Sequence, residues 1–426
     1  MKILIRGAYV VDPVDPDDQP LEVRDLMIED GLLANRLSGE PDRIIDATGL
    51  HLFPGLIDAH CHLRDPGYEY REDLVSGTRS AARGGFTTVA SMPNTRPVCD
   101  HAAMVRYLAD KANREGYARV LPIGAVSKGE LGQELAEIGL MAEAGIVAVS
   151  DDGRPVESAD MMRKAMLYAH RFGMPVISHC EDPTLAEGGQ MNEGHWSTVL
   201  GLRGIPDIAE SVMVARDCLL AEYLDLPVHL AHISSHRSIR IIREAKARGV
   251  KVTAETCPHY FTLTDAACRN FNTQAKMNPP LKTDEDVAAV IAALADGTID
   301  LIVTDHAPHH DDEKNLEFAL ANNGIVGFET ALPLGYTFLV RTGQLGLRQW
   351  LRTMSVNPAR LFRQDLGTLA AGKPADLTLV DLTQPFRFDK NQMASRSHNT
   401  PYDGWELYGR VRATICAGRM TYDELC

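Results

Sequence analysis

Histidines and aspartates that could share a cation recur at intervals along this 426-residue chain. His60-Cys61-His62 sets two imidazoles two residues apart. On a β-strand such a pair shares one face and can grip a single metal ion. Asp151 and Asp152, His179, His232 and Asp305 follow, each closing an apolar run. Four histidines and several aspartates gathered at one point would repel or stay unsatisfied without cations. Their N and O donors suit Zn²⁺, in one site or in two roughly 3.5 to 4 Å apart. The remaining histidines carry less. His229 lies three residues before His232, so on a strand it faces the other way, as a core or supporting residue. His259 and His306 read as supporting residues, His310 as solvated, and His51, His101, His170, His195, His236 and His398 as structural or surface groups.

These side chains need a scaffold that brings distant segments to one place. Eight short apolar runs alternate with amphipathic helical segments: LIDAHCHLR, TTVASMP, RVLPIGAVS, IVAVSDD, PVISHCED, PVHLAHIS, KVTAETCPH and DLIVTDHAPH. The helices include Glu72 to Arg83, Ser158 to Arg171, Ile208 to Tyr223, Ser238 to Arg248 and Glu285 to Leu294, each with a period near 3.6 residues. Eight such units predict an α/β fold, a TIM (β/α)8 barrel over 54–362, whose functional face is the C-terminal end of its strands. Residues 1–53 and 363–426 carry short alternating runs broken by Asp, Pro and Gly, which read as strands and hairpins. Together they predict a small β-sandwich domain built from both termini.

Apolar residues make up 45% and charged residues 24%, a globular composition that excludes extensive disorder. A net charge of −15 with no basic run excludes polyanion binding, so neither nucleic acid nor a membrane surface is an expected partner. The start is cut by Arg6 and acidic residues, unlike a signal peptide, and no apolar stretch approaches about 18 residues. A cytoplasmic protein is expected. Its eight cysteines, Cys426 among them, lack CxxC spacing and suit reduced thiols. Cys61 and Cys180, beside site histidines, are expected only to pack.

GLIDAHCHLRDPG (55–67) and AARGGFTTVASMPNTRPVCD (81–100) closely resemble dihydroorotases of the amidohydrolase superfamily, in the bacterial class I branch. VSDDGRPV (149–156), HCEDPTLAEGGQMNEG (179–194), GLRGIP (201–206), VHLAHISS (228–235), VTAETCPHY (252–260), KMNPPLK (276–282), TDHAPH (304–309), GIVGFETALPL (324–334), NPAR (357–360) and NTPYDG (399–404) extend the resemblance over nearly the whole chain. HxH with a distant TDHAP-like strand is also shared by hydantoinases and allantoinases. Those relatives present a lysine, which becomes carboxylated, at the end of the fourth strand. Here that place reads Ser150-Asp151-Asp152-Gly153.

The resemblance implies one or two Zn²⁺ per subunit, with His60, His62 and Asp305 on one metal, His179 and His232 on the second, and Asp151 between them. Asp152 is the alternative, since neighbouring side chains face opposite ways. It implies reversible hydrolysis of the ring amide of L-dihydroorotate to N-carbamoyl-L-aspartate in pyrimidine biosynthesis. Asp305 would serve as the proton-transferring catalytic residue. For the substrate carboxylate, Arg64 offers a bidentate fork on the same strand face as His62, and Asn94 ends the second strand. His309 and Asn278 match the family's further carboxylate and ring contacts. Lys282 stands where many relatives have Arg, and Asn322-Asn323-Gly324 replaces a more apolar stretch of the substrate pocket. The segment after His309 is the natural candidate lid. The resemblance also leaves room for an inactive scaffold subunit of aspartate transcarbamoylase and for a hydantoinase or allantoinase-like amidase. A homodimer is expected, with or without aspartate transcarbamoylase as partner.

Overall fold

Each of the eight apolar runs is too short to stand alone and too apolar to face water, so they pair side by side under a coat of helices. The computed structural model describes residues 1–425. Its barrel strands are β1 (Leu56–Cys61), β2 (Phe86–Ser91), β3 (Arg119–Gly124), β4 (Ala148–Ser150), β5 (Val176–Ser178), β6 (Val228–Leu230), β7 (Val252–Thr256) and β8 (Leu301–Ile302). They pair in sequence order, each parallel to the next. The ring closes just beyond β8, where the Asp305 amide donates to the His60 carbonyl at 3.0 Å and the His62 amide to the His306 carbonyl at 2.9 Å.

A helix follows every strand: α1 (Leu74–Arg83), α2 (Ala102–Glu115), α3 (Ile138–Ala144), α4 (Ala159–His170), α5 (Ile208–Leu224), α6 (His236–Ala247), α7 (Asp284–Asp296) and α8 (Phe328–Gly335). Local signals set their ends. Asp73 caps α1 through the Ser76 amide at 2.7 Å, and Ser158 caps α4 through the Met161 amide at 3.3 Å. The helix expected from Ser238 begins earlier, at His236, because the Ser235 hydroxyl accepts from the Arg237 amide as its cap.

The two terminal segments meet in one eight-stranded sheet. Five of its strands lie within Lys2–Pro54, and Leu377–Asp381, Arg410–Cys416 and Arg419–Asp423 complete it. The join is antiparallel, with Leu52 opposite Leu379. Ile3, Ile5, Ile28, Leu52, Leu377 and Ile415 form a core separate from that of the barrel. One stretch assigned by sequence to the terminal domain goes elsewhere: Phe388, Met393, Tyr402 and Leu407 bury in the barrel core, so the chain from 386 to 407 straps the barrel. Among the described residues, no helix is long and apolar enough to cross a membrane.

Candidate active site

At the C-terminal end of β1, the alternation of the strand aims both imidazoles into the barrel mouth. Each is held by its rear nitrogen. His60 Nδ1 lies 2.6 Å from Glu255 Oε1, and His62 Nδ1 lies 2.9 Å from Asn94 Oδ1. The second Glu255 oxygen takes His229 Nε2 at 2.9 Å, so His229 supports the site from behind. Anchoring of this kind fixes the tautomer and leaves Nε2 free for a cation.

Asp152 stands at the centre of what faces them. Its Oδ1 is 3.4 Å from His60 Nε2, 3.5 Å from His179 Nδ1 and 3.5 Å from His232 Nε2, and its Oδ2 is 3.5 Å from His62 Nε2. Asp305 Oδ1 lies 3.0 Å from His62 Nε2 and 3.7 Å from His60 Nε2. Two groups, His60 with Asp152 and His232, and His60 with His62 and Asp305, bring their donor atoms within 4.8 Å of one another. His60 Nε2 and Asp152 Oδ1 are buried with no hydrogen-bond partner. Unpartnered N and O donors aimed at a common point inside the fold match a divalent cation of the zinc type.

The expectation for the fourth strand requires correction. Asp151 does not face the histidines. Its carboxylate accepts from the Val126 amide at 2.8 Å, the Ser127 amide at 3.1 Å and the Ser127 hydroxyl. It thus closes the open end of β3, and Asp152 takes the central place. Burial alone would raise the Asp152 carboxyl; the facing His60, with His179 and His232 also turned toward it, carries it well below the usual range. Burial likewise opposes a charged His60, but Asp152 and Glu255 hold it well above an ordinary imidazole.

Around this cluster lies a cavity of about 480 Å³. Arg64, Asn94, Asn278 and His309 all line it, with His62, His179, His232, Asp152 and Asp305 on its floor. Arg64 Nε donates to the Pro308 carbonyl at 3.2 Å, and its terminal nitrogen donates to His309 Nε2 at 3.3 Å. Burial brings the guanidinium down to about 10 and His309 down to about 3, so at neutral pH the pair is a cation beside a neutral imidazole. Asn278 Oδ1 is buried and unpartnered. Asn94 has a second occupation: with Oδ1 on His62, its Nδ2 donates to the Asp152 carbonyl at 3.3 Å.

Asn322, Asn323 and Gly324 form the opposite wall. Two buried ammoniums hold this segment. Lys314 Nζ donates to the Asn322 carbonyl at 2.8 Å and the Gly324 carbonyl at 3.1 Å, and Lys276 Nζ to those of Phe318 at 2.6 Å and Ala321 at 2.8 Å. Three site residues other than glycine have positive φ, Arg64 (61°), His232 (34°) and Asp305 (45°), so the site carries backbone strain. Sequence reasoning missed Glu255. Its signal was a lone carboxylate inside the apolar run of β7, which must have a buried partner.

Residues 49–238 match the family described as "Dihydro-orotase-like", and residues 321–422 match the "Amidohydrolase family". Dihydroorotase from Acetivibrio thermocellus is 54% identical over 99% of both chains. The same name belongs to a relative from Ruminiclostridium cellulolyticum, 54% identical over 98% of both. Among solved structures, L-hydantoinase from Arthrobacter aurescens superimposes with a TM-score of 0.88 at 24% identity, covering 99% of this chain and 96% of its own. Dihydropyrimidinase from Brevibacillus agri gives 0.85 at 24%, covering 100% and 96%; at that identity both speak for the fold alone. A parallel barrel with histidines and aspartates gathered at its mouth is the architecture of the amidohydrolase superfamily. Within it, the chain belongs to the dihydroorotase family.

Proposed function

We propose that the chain catalyses the reversible hydrolysis of the ring amide of L-dihydroorotate to N-carbamoyl-L-aspartate, the dihydroorotase step of pyrimidine biosynthesis, with zinc at the barrel mouth. The observation that carries this reading is the single cavity that holds Asp305 and the donor cluster together with a buried Arg64. His60, His62 and Asp305 would hold one cation, His179 and His232 a second, with Asp152 between them. Bound there, such cations polarise the ring carbonyl and lower the pKa of water.

The residues of the chain do the rest. Asp305 takes a proton from the attacking water and returns it to the leaving ring nitrogen. Arg64, anchored at Nε by Pro308, presents its terminal N–H groups to the substrate carboxylate, and desolvation strengthens that pair. His309, neutral and fixed by Arg64, adds no competing charge. Asn278 Oδ1 has no partner of its own and is free to accept from a ring N–H. A neutral hydantoin ring would leave Arg64 unpaired in the cavity, which disfavours that substrate class.

Ile208, Val212, Leu219 and Tyr223 stand exposed along one face of α5, which supports assembly as a homodimer. Seven free, buried cysteines among the described residues suit a reducing compartment such as the cytoplasm. The test is hydrolysis of dihydroorotate and of hydantoin by the purified chain, with zinc determined on the same sample and with and without aspartate transcarbamoylase. Turnover of dihydroorotate by the zinc-loaded chain is expected. Faster turnover of hydantoin, or no turnover of dihydroorotate, would overturn the reading.

A further inference from the structure

The NTPYDG motif begins at a residue that touches neither the donor cluster nor the cavity, yet its side chain is bonded to the segments that form the cavity wall. Asn399 is 1% exposed. Its Oδ1 accepts from the His309 amide at 3.1 Å, while its Nδ2 donates to the Ala307 carbonyl at 3.1 Å and the Gly324 carbonyl at 3.0 Å. Its own carbonyl accepts from the Val326 amide at 3.0 Å. One amide therefore ties the chain from Ala307 to His309 to Gly324. That junction is tight: Gly324 has φ +122°, and a Cβ there would meet the Ala307 Cβ at 2.7 Å.

The rest of the strap is anchored firmly enough to make Asn399 a fixed point. Tyr402, three residues on, is buried with its hydroxyl 2.7 Å from that of Thr262. On the other side, the Ser397 hydroxyl donates to the Arg71 carbonyl at 2.6 Å and the Arg396 amide to Glu72 at 3.2 Å. The strap thus holds the loop after β1, which carries Arg64, and the loop after β8, which carries His309, in one frame.

Only an amide fits the bonds made by Asn399, since they require one acceptor and two donors in a site closed to water. An aspartate would set a carboxylate oxygen against two carbonyl oxygens, and an alanine would leave three backbone groups unpaired.

We propose that Asn399 is a positioning residue for substrate recognition, setting the place of His309, and through it of the Arg64 fork, relative to the substrate carboxylate. The inference rests on the reading of the site as one that binds dihydroorotate.

The test uses Asn399→Ser and the isosteric Asn399→Asp in the full-length, zinc-loaded protein. KM for dihydroorotate and for N-carbamoyl-L-aspartate should rise at least about tenfold, as expected when buried groups behind a binding residue lose their partners. Zinc content should be unchanged and kcat should stay within about twofold. In a His309→Ala background the same substitutions should add little, because the effect runs through His309. Hydrogen exchange supplies a readout independent of substrate: the His309 amide should lose protection in Asn399→Ser, whose shorter side chain no longer reaches it, whereas Asn399→Asp keeps an acceptor there. An unchanged KM, an additive effect in the His309→Ala background, or a joint fall of kcat and zinc content would overturn the assignment. If the unsubstituted chain fails to hydrolyse dihydroorotate, the functional reading falls, and unaltered exchange at His309 in Asn399→Ser would separately remove Asn399 from its positioning role.

Discussion

Glu255 Oε1 approaches His60 Nδ1 to 2.6 Å, and neither side chain is accessible to solvent. His60 belongs to both groups of donor atoms at the barrel mouth, so its orientation affects each. Glu255→Gln removes the charge while keeping the shape. Metal affinity should fall about 10- to 100-fold, as for other partners of ligating histidines. Titration with zinc against a competing chelator measures it, and undiminished affinity would show that His60 needs no such anchor.

Asp151 and Asp152 are adjacent and serve different ends. Asp152→Asn should lose zinc and activity with the fold intact. Asp151→Asn should keep much of its zinc while lowering the melting temperature, because the Val126 and Ser127 amides lose a charged acceptor. Zinc content and Tm of the two proteins, measured side by side, decide between these roles. Zinc loss confined to Asp151→Asn would reverse them.

Asp305→Asn should lower kcat by about 10² to 10⁴, the range typical of a lost proton-transfer group. Hydrogen bonding to His62 and the charges of His60 and His62 overcome the burial that would raise this carboxyl, and keep it ionised far into acid. The acid limb of the kcat profile should therefore lie below the usual carboxylate range, and a bound cation would push it the same way. Turnover retained in Asp305→Asn would place the proton transfer elsewhere.

His259 makes the stability of the chain sensitive to acid. Burial brings its pKa down from 6.5 to about 4, with His232 adding repulsion and Asp305 opposing. The unfolded chain then binds a proton that the folded chain does not. Its contribution to stability is complete above pH 6.5 and is lost as the pH falls toward 4. His259→Phe should flatten the fall in Tm across that window. An equally steep fall in the variant would move the effect to other groups.

Removal of zinc by a chelator should lower Tm, and zinc at a hundredfold excess over its Kd should restore about 2.7 kcal/mol for one site. Magnesium, which prefers oxygen donors and octahedral geometry, should restore far less. Equal rescue by both ions would contradict a nitrogen-rich site.

Much of this was legible in the sequence, and the exceptions share a cause. All eight barrel strands were readable, because a strand covered on both faces is an apolar run and its polar terminus marks the functional end. The choice between Asp151 and Asp152 was not. Strand β4 spans only Ala148–Ser150, and the groups that claim Asp151 come from another unit, Val126 and Ser127 after β3. Glu255 was overlooked for a related reason, its partners His60 and His229 lying on other strands. The strap from 386 to 407 looked like part of the terminal sheet because its polar, turn-rich texture matches that sheet, whereas its packing partners lie in the barrel.

The hydrogen bonds that close the ring, Asp305 to the His60 carbonyl and His62 to the His306 carbonyl, are made by the backbone of three residues whose side chains face the cation site, His60, His62 and Asp305, with the His306 carbonyl as the fourth partner. The clasp of the barrel and its reactive centre are thus one object. A half-assembled barrel would have His60 and His62 at one free edge and Asp305 at the other, so a competent centre cannot precede closure. A cation held by His60, His62 and Asp305 would therefore be taken up only after closure, and once seated it would act as a rivet across the seam.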